Sequence, residues 1–189
     1  MLIRALALAA LTALPASAQM WQEDEVRLWS LDTALGEAMR EVLTAGPSAD
    51  LDRLAQAMAG EAWPAEDMDL TGAWSCTVMK LGGLLPLTVY APFACRMDAD
   101  GTFRKTGGSQ LTTGHMEVID GQMVYLGVGY AAGETPPAYA DLPEMVDPAD
   151  LPQFLPQVAV VEQTGPATAR MLFPYPLVES TFDVIALTR

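Results

Sequence analysis

Histidine, cysteine and basic residues are scarce in this sequence. Its 189 residues include one histidine, two cysteines and ten lysines and arginines, against 24 aspartates and glutamates, which gives a net charge of −14. A single histidine excludes a histidine-rich metal site within one chain. The acidic excess repels phosphate backbones and anionic lipid, so nucleic acid and membrane surfaces are not expected partners. No motif for a metal or a nucleotide is present, and we expect no metal and no cofactor.

The first 18 residues have the pattern of a secretory signal peptide. A lone arginine precedes an apolar run over residues 5–14, and residues 16–18 are Ala-Ser-Ala, the small-x-small pattern that a signal peptidase cleaves. Farther along the chain no stretch reaches the roughly 18 consecutive apolar residues that a membrane span needs. We therefore predict a signal peptide over 1–18, no transmembrane segment after its cleavage, and a periplasmic or secreted location.

The two cysteines, Cys76 and Cys95, are expected to form a disulfide. An even pair in an oxidising compartment normally does so. Closing a loop of roughly twenty residues would stabilise the fold by about 3 kcal/mol in the chain-entropy model. A redox-active pair would need C-x-x-C spacing, which is absent.

The periodicity of the chain divides it into a helical part over 19–69 and a β part over 70–189. Apolar residues from Leu28 to Val42 recur at threes and fours, Gly46-Pro47 ends that helix, and Ser48 can cap a second. These two helices predict an N-terminal helical hairpin. Short alternating runs then predict strands near 71–81, 84–90, 92–98, 101–106, 109–119, 122–129, 157–163, 167–173 and 180–188.

The predicted fold class is α+β, mainly β, with an antiparallel lipocalin-like barrel or a sandwich after the helices. Residues 130–156 interrupt the strands with six prolines, five acids and no base. They predict a long acidic loop, and loops of this length are often lids or binding loops.

Successive side chains of the first predicted strand point to opposite faces of the sheet, which places Trp74, Cys76, Val78 and Lys80 on one face. An inward Lys80 would need an acidic partner, and Glu179 and Asp183 are the candidates.

Short motifs spread along the β part carry two resemblances. The G-x-W sequence that ends in Trp74 is similar to the opening of lipocalins and related barrels, where the tryptophan closes the barrel base. A wider set of motifs, over about residues 20–189, resembles the bacterial family known as domain of unknown function 4893. These motifs are Trp74-Ser75-Cys76, Lys80-Leu81-Gly82-Gly83, Tyr90, Phe93-Ala94-Cys95-Arg96, Lys105, Gly108-Ser109-Gln110, Gly114, Tyr125-Leu126-Gly127, Pro174-Tyr175-Pro176, Glu179-Ser180, Asp183 and Leu187.

The second resemblance implies a set of candidate binding residues but no mechanism, because the family has no assigned function. The candidates are nine polar residues from these motifs: Lys80, Tyr90, Arg96, Lys105, Ser109, Gln110, Tyr125, Glu179 and Asp183. The family pattern also has charged residues at positions that correspond here to Thr77, Leu111 and Ala186. Their absence implies a weaker charge-based site in this chain.

Three hypotheses for function follow. The first is an exported, non-enzymatic protein that binds an unknown small ligand in or on the barrel. The second is a protein-binding module or an inhibitor of an envelope hydrolase, whose acidic surface would suit a basic envelope protein. The third is an enzyme, which would require the candidate residues to surround one cleft.

Overall fold

A computed structural model describes residues 20–147 and 149–189 of the chain. The predicted signal peptide lies outside the described residues. The helices are α1 (Gln22–Trp29), α2 (Leu31–Ala45) and α3 (Ser48–Met58), and the strands are β1 (Gly72–Leu81), β2 (Leu87–Val89), β3 (Phe93–Met97), β4 (Thr102–Lys105), β5 (Gln110–Ile119), β6 (Gln122–Ala131), β7 (Leu155–Gly165), β8 (Thr168–Pro174) and β9 (Phe182–Thr188). No helix among the described residues is long and apolar enough to cross a membrane.

The strands form a closed antiparallel barrel of eight strands, which confirms the predicted fold class. Hydrogen bonding runs from β1 through β3, β4 and onward to β9, and β9 pairs with β1 to close the ring. The short strand β2 pairs with the last residues of β1, while β3 pairs with its first residues. Strands β2 and β3 therefore act as one wall strand that is interrupted between Val89 and Phe93.

The helical part differs from the predicted hairpin of two helices. A third helix, α1, precedes the others, and the expected helix over Leu28–Val42 is broken at Ser30, whose φ is −92° and ψ 13°. The Ser30 hydroxyl donates to the carbonyl of Val26 within the last turn of α1. A serine that bonds its own backbone in this way competes with helix continuation, and periodicity of the apolar residues alone does not detect it.

Alternation along the strands produces one core inside the barrel and two outside it. Inward residues such as Trp74, Cys76 and Phe103 form the interior core. On the outer face, Met79 and Leu81 pack beneath α2 and α3, and a separate outer cluster packs beneath α1. Because helices cover much of the wall, several strands are apolar on both faces. The Cys76–Cys95 disulfide is formed between β1 and β3, with the Cα atoms 5.9 Å apart.

Part of the predicted acidic loop, around Tyr139 and Leu142, lies against the barrel wall. Strands β6 and β7 extend farther than predicted, which shortens the connection to 132–154. Within it, Tyr139 and Leu142 are buried against the outer face of β6 and β7. The Tyr139 hydroxyl donates to the Asp24 carboxylate at 2.6 Å, which ties the connection to α1. This part of the loop therefore covers an outer wall.

Candidate functional site

One end of the barrel interior is filled and the other end is open. At the filled end, the Arg189 guanidinium lies 4.2 Å above the Trp74 ring, and Phe103, Tyr125 and Met171 are fully buried above it. At the opposite end a cavity of about 330 Å³ opens between the strands. An adjoining lobe of about 230 Å³ shares Lys80, Asp183 and four other residues with it. The volume is in the range of small-molecule sites.

Seven of the nine candidate residues line this cavity. They come from four separated parts of the chain, and the barrel brings them together because the ends of β1, β4 and β8 lie beside the beginnings of β5, β7 and β9. The seven residues are Lys80, Tyr90, Lys105, Ser109, Gln110, Glu179 and Asp183. Arg96 and Tyr125 are the two that do not line it.

Lys80 lies in an ion-paired group with the two acids that the sequence predicted as its partners, and this prediction is confirmed. Its Nζ lies 3.1 Å from Glu179 Oε2 and 3.6 Å from Asp183 Oδ2. Lys80 and Asp183 face each other across the β1–β9 pairing, and the Ser180 hydroxyl donates to Asp183 at 2.6 Å. Glu179 has φ 72°, a left-handed conformation that is uncommon outside glycine and is often found at functional sites.

Burial and ion pairing act in opposite directions on the pKa values of Lys80 and Asp183, and the net pKa of each residue is raised. Burial lowers the pKa of Lys80, but attraction to Asp183 and Glu179 outweighs it and the net pKa is raised. Burial raises the pKa of Asp183, and the nearby Lys80 offsets only part of that rise. The charged state of Asp183 therefore depends on Lys80.

Lys105 occupies the other side of the cavity and has no acidic partner among the described residues. The residue is only 5% exposed. Its ammonium donates to the backbone carbonyls of Gly107 and Gln110, both at 2.6 Å, and lies 4.1 Å from the centre of the Phe93 ring. Burial lowers the pKa of Lys105, and repulsion from Lys80 adds to this effect.

A chain of hydrogen bonds leads from the buried core to the cavity wall. The Thr112 hydroxyl donates to Gln157 Oε1 at 2.6 Å, so the Tyr125 hydroxyl is the donor in its 2.5 Å contact with Thr112. Burial raises the pKa of Tyr125, which keeps the phenol protonated. Tyr125 thus supports the cavity floor from below and does not line it.

Glycines at inward positions of β5 and β6 leave space for the Tyr125 ring and the Gln157 amide. Gly114 and Gly127 face each other across β5 and β6. A Cβ at Gly127 would overlap the hydroxyl and ring of Tyr125, and a Cβ at Gly114 would overlap the backbone of β6 and also lie 2.7 Å from a ring carbon of Tyr125. A Cβ at Gly129 would lie 2.7 Å from Gln157 Nε2. Real side chains do not approach so closely. The missing side chains therefore let the Tyr125 ring and the Gln157 amide occupy the interior.

Arg96 lies outside the barrel, contrary to its inclusion among the candidates. Its side chain is exposed and pairs with Asp98, which also pairs with Arg104. The reason is the alternation of β3, which turns Cys95 inward and Arg96 outward. The expected weakening of a charge-based site applies at only one of its three positions. Thr77 and Ala186 are cross-strand partners on the helix-covered outer face, so charges missing there do not affect the cavity. Leu111 lines the cavity, so a charge missing at that position does leave the site less charged.

Sequence reasoning missed the residues that give the cavity its walls and its amide donor. Thr112 and Gln157 are polar residues at inward positions of β5 and β7, and an inward polar residue in an alternating strand is a signal that could have been used. The apolar walls, in contrast, look like ordinary core positions in the sequence. They are Val78, Phe93, Leu111, Phe173 and Ile185.

Comparison with known proteins identifies a family and nothing more specific. A family model described as domain of unknown function 4893 matches residues 17–187. No curated protein matches the chain, and no solved structure matches it.

Proposed function

Since the chain belongs to the family described as domain of unknown function 4893, which assigns no activity, we propose from the cavity that it is an exported, non-enzymatic protein that binds a small ligand in the open end of its barrel. The disulfide supports an oxidising compartment. The filled end gives the barrel a rigid base, and the open end provides a concave site with apolar walls and a few polar groups. This combination is typical of small-molecule sites.

The observation that carries the proposal is the convergence of seven candidate residues on one cavity. A barrel of this size can be filled completely by its side chains, and the filled end of this barrel shows such packing. The open end instead holds four charged side chains and an unfilled volume of about 330 Å³. Charged groups in a barrel interior destabilise the fold unless they are compensated, so their presence beside an open volume favours a binding role.

Binding explains the site better than catalysis does. The enzymatic hypothesis required the same convergence, but three of the four charged groups found there, Lys80, Glu179 and Asp183, are paired with one another. The single histidine, His115, is exposed on β5 opposite Thr102, away from the cavity. In the described part of the chain no hydroxyl is hydrogen-bonded to that histidine, so the arrangement that activates a serine nucleophile is not formed.

The alternative of binding a basic envelope protein is supported by charge. Residues 19–69 hold twelve acids and three bases, and six of the twelve acids are exposed on the helices of the outer wall. Such a surface would steer a basic partner toward the wall and leave the cavity open. Binding of a basic protein that weakens steeply with added salt would favour this function, and it does not conflict with a ligand in the barrel.

Filling the cavity with a larger side chain should abolish ligand binding. N-phenyl-1-naphthylamine is a neutral probe that fluoresces when it leaves water, and we expect saturable fluorescence with the wild-type protein. Val78 faces inward and lines the cavity, so Val78→Phe should weaken the probe's affinity at least about tenfold by occupying its volume. The matched control is Val118→Phe on β5, where Val118 is 55% exposed and the affinity should not change.

Equal probe affinity in both variants would contradict the proposal, as would the absence of saturable binding to the wild type. Circular dichroism melting checks that Val78→Phe folds. If it does not, Ile185→Phe fills the same cavity from β9 and serves in its place.

A further inference from the structure

The buried ammonium of Lys105 points to the chemical class of the ligand. We propose, on the basis of the function proposed above, that the cavity takes a small organic monoanion, a carboxylate with a short apolar body, and that Lys105 binds the carboxylate. Lys105 is 5% exposed, and within the described ranges no carboxylate lies within 4.0 Å of its Nζ. An uncompensated charge buried to this degree destabilises a fold.

The surroundings of Lys105 hold the ammonium without neutralising it. The carbonyls of Gly107 and Gln110 accept two of its three N–H groups, and the Phe93 ring face lies 4.1 Å away. Carbonyls and aromatic rings favour a cation but carry no net charge. A third donor remains for a ligand, and an anion bound there would supply the missing counter-charge.

A second donor lines the same cavity. Because the Tyr125 phenol donates to Thr112, and Thr112 donates to Gln157 Oε1, the orientation of the Gln157 amide is fixed with its oxygen occupied. Its NH₂ group has no acceptor among the described residues. Gln157 lines both lobes, so this NH₂ group is available to the second oxygen of a carboxylate.

The opposite side of the cavity limits the ligand to a single negative charge. Lys80 is already paired with Glu179 and Asp183, and those two carboxylates would repel a second anionic group. Phosphate monoesters and dicarboxylates are therefore disfavoured. Between the two charged sides lie the apolar side chains of Val78, Phe93, Phe173 and Ile185, which suit a phenyl ring or a short alkyl chain.

The test uses three probes with one apolar body and different head groups: 3-phenylpropanoate, 3-phenylpropan-1-ol and 3-phenylpropylamine. Each competes with N-phenyl-1-naphthylamine for the wild-type protein. We expect the carboxylate to compete at least about tenfold more strongly than the alcohol, because a hydrogen bond to a charged group outweighs one between neutral groups. The amine should compete most weakly, because Lys105 repels it.

Lys105→Met keeps an unbranched side chain, one atom shorter, and removes its charge. In this variant the protein should no longer bind the carboxylate more tightly than the alcohol, and its affinity for the alcohol should not change. The matched control, Arg96→Met, removes a cation from the outer face of β3 and should keep the wild-type order. Thermal melting checks that Lys105→Met folds, since the variant leaves the Gly107 and Gln110 carbonyls without the ammonium donor.

The outcomes separate the two proposals. If the fluorescent probe binds and the carboxylate and alcohol compete equally in the wild type, the monoanion inference is wrong and the binding function stands. The monoanion inference is also wrong if Lys105→Met retains the carboxylate preference. If the fluorescent probe does not bind the wild type saturably, the proposed function itself fails. The wild-type head-group order decides the inference even if Lys105→Met does not fold.

Discussion

Lys80→Met should destabilise the protein by about 3 kcal/mol at neutral pH, the low end of the range for breaking a buried ion pair. The variant leaves Asp183 beside Glu179 with no cation between them. Asp183 is well buried, with a side chain 16% exposed, so its charge would be poorly solvated. Glu179 is 39% exposed and contributes less, because solvent screens it.

The loss of stability caused by Lys80→Met should be smaller at low pH than at neutral pH. The pKa of Asp183 is already raised above its ordinary value of 3.8 by burial, and Lys80 is the largest cause that lowers it. Removing Lys80 raises this pKa further. An acid with a raised pKa stabilises the fold at low pH, and this contribution is lost as pH rises from about 3.8 through the folded-state pKa. The difference between variant and wild type should therefore shrink to about 1 kcal/mol near pH 4.

Urea unfolding of both proteins at pH 4 and pH 7.5, with the disulfide intact, measures this difference. The matched control is Arg96→Met, whose exposed ion pair with Asp98 should contribute less than about 1 kcal/mol at either pH. If Lys80→Met were as stable as the wild type at pH 7.5, or more stable, the ion-paired group would have no structural role. Equal losses at both pH values would contradict the titration proposed for Asp183.

Gly127→Ala should destabilise the protein by about 3 kcal/mol, the upper part of the range for overpacking. The new Cβ would collide with the phenol of Tyr125. That ring cannot move aside easily, because Phe103 and Phe173 pack edge-on against it with centroids 5.8 and 6.0 Å away. Its hydroxyl is also hydrogen-bonded to Thr112. The predicted loss of stability therefore arises from the collision with the rigidly packed Tyr125 ring and not from the backbone conformation of Gly127.

Gly129→Ala is the matched control for Gly127→Ala, since it makes the same change two residues along the same face of β6. Its Cβ would meet the end of the Gln157 side chain, which can move into the cavity at the cost of its hydrogen bond from Thr112, so the cost should be about 1 kcal/mol. Tyr125→Phe removes the colliding hydroxyl and should partly rescue Gly127→Ala in a double-mutant cycle. Equal costs for the two alanine variants, or no rescue, would contradict this packing.

The sequence predicted those parts of the fold that depend on local pattern. Period-two alternation and Asp-Gly turns such as Asp120-Gly121 identify strands from neighbouring residues alone. The same alternation placed Lys80 inside the barrel with the disulfide. It also shows that Arg96 is on the opposite face from Cys95, so its exclusion from the cavity could have been predicted from the sequence.

The cavity could not be predicted in the same way, because it depends on which residues face each other across strands. Gly114 and Gly127 are 13 positions apart, and only the β5–β6 register shows that together they seat one aromatic ring. Similarly, the sequence marks Lys105 as a candidate but not as a buried one. Its burial arises from Phe93 and the Gly107–Gln110 backbone, which fold over it.

The central claim is that the open end of the barrel is a ligand site, and methyl NMR of the wild-type protein tests it most directly. Isoleucine, leucine and valine methyls are labelled, and N-phenyl-1-naphthylamine is titrated into the sample. We predict saturable shifts for Val78, Leu111 and Ile185, which line the cavity, and none for the exposed Val118. Shifts confined to exposed methyls such as those of Leu84, which is 78% exposed, or shifts that never saturate, would contradict the claim.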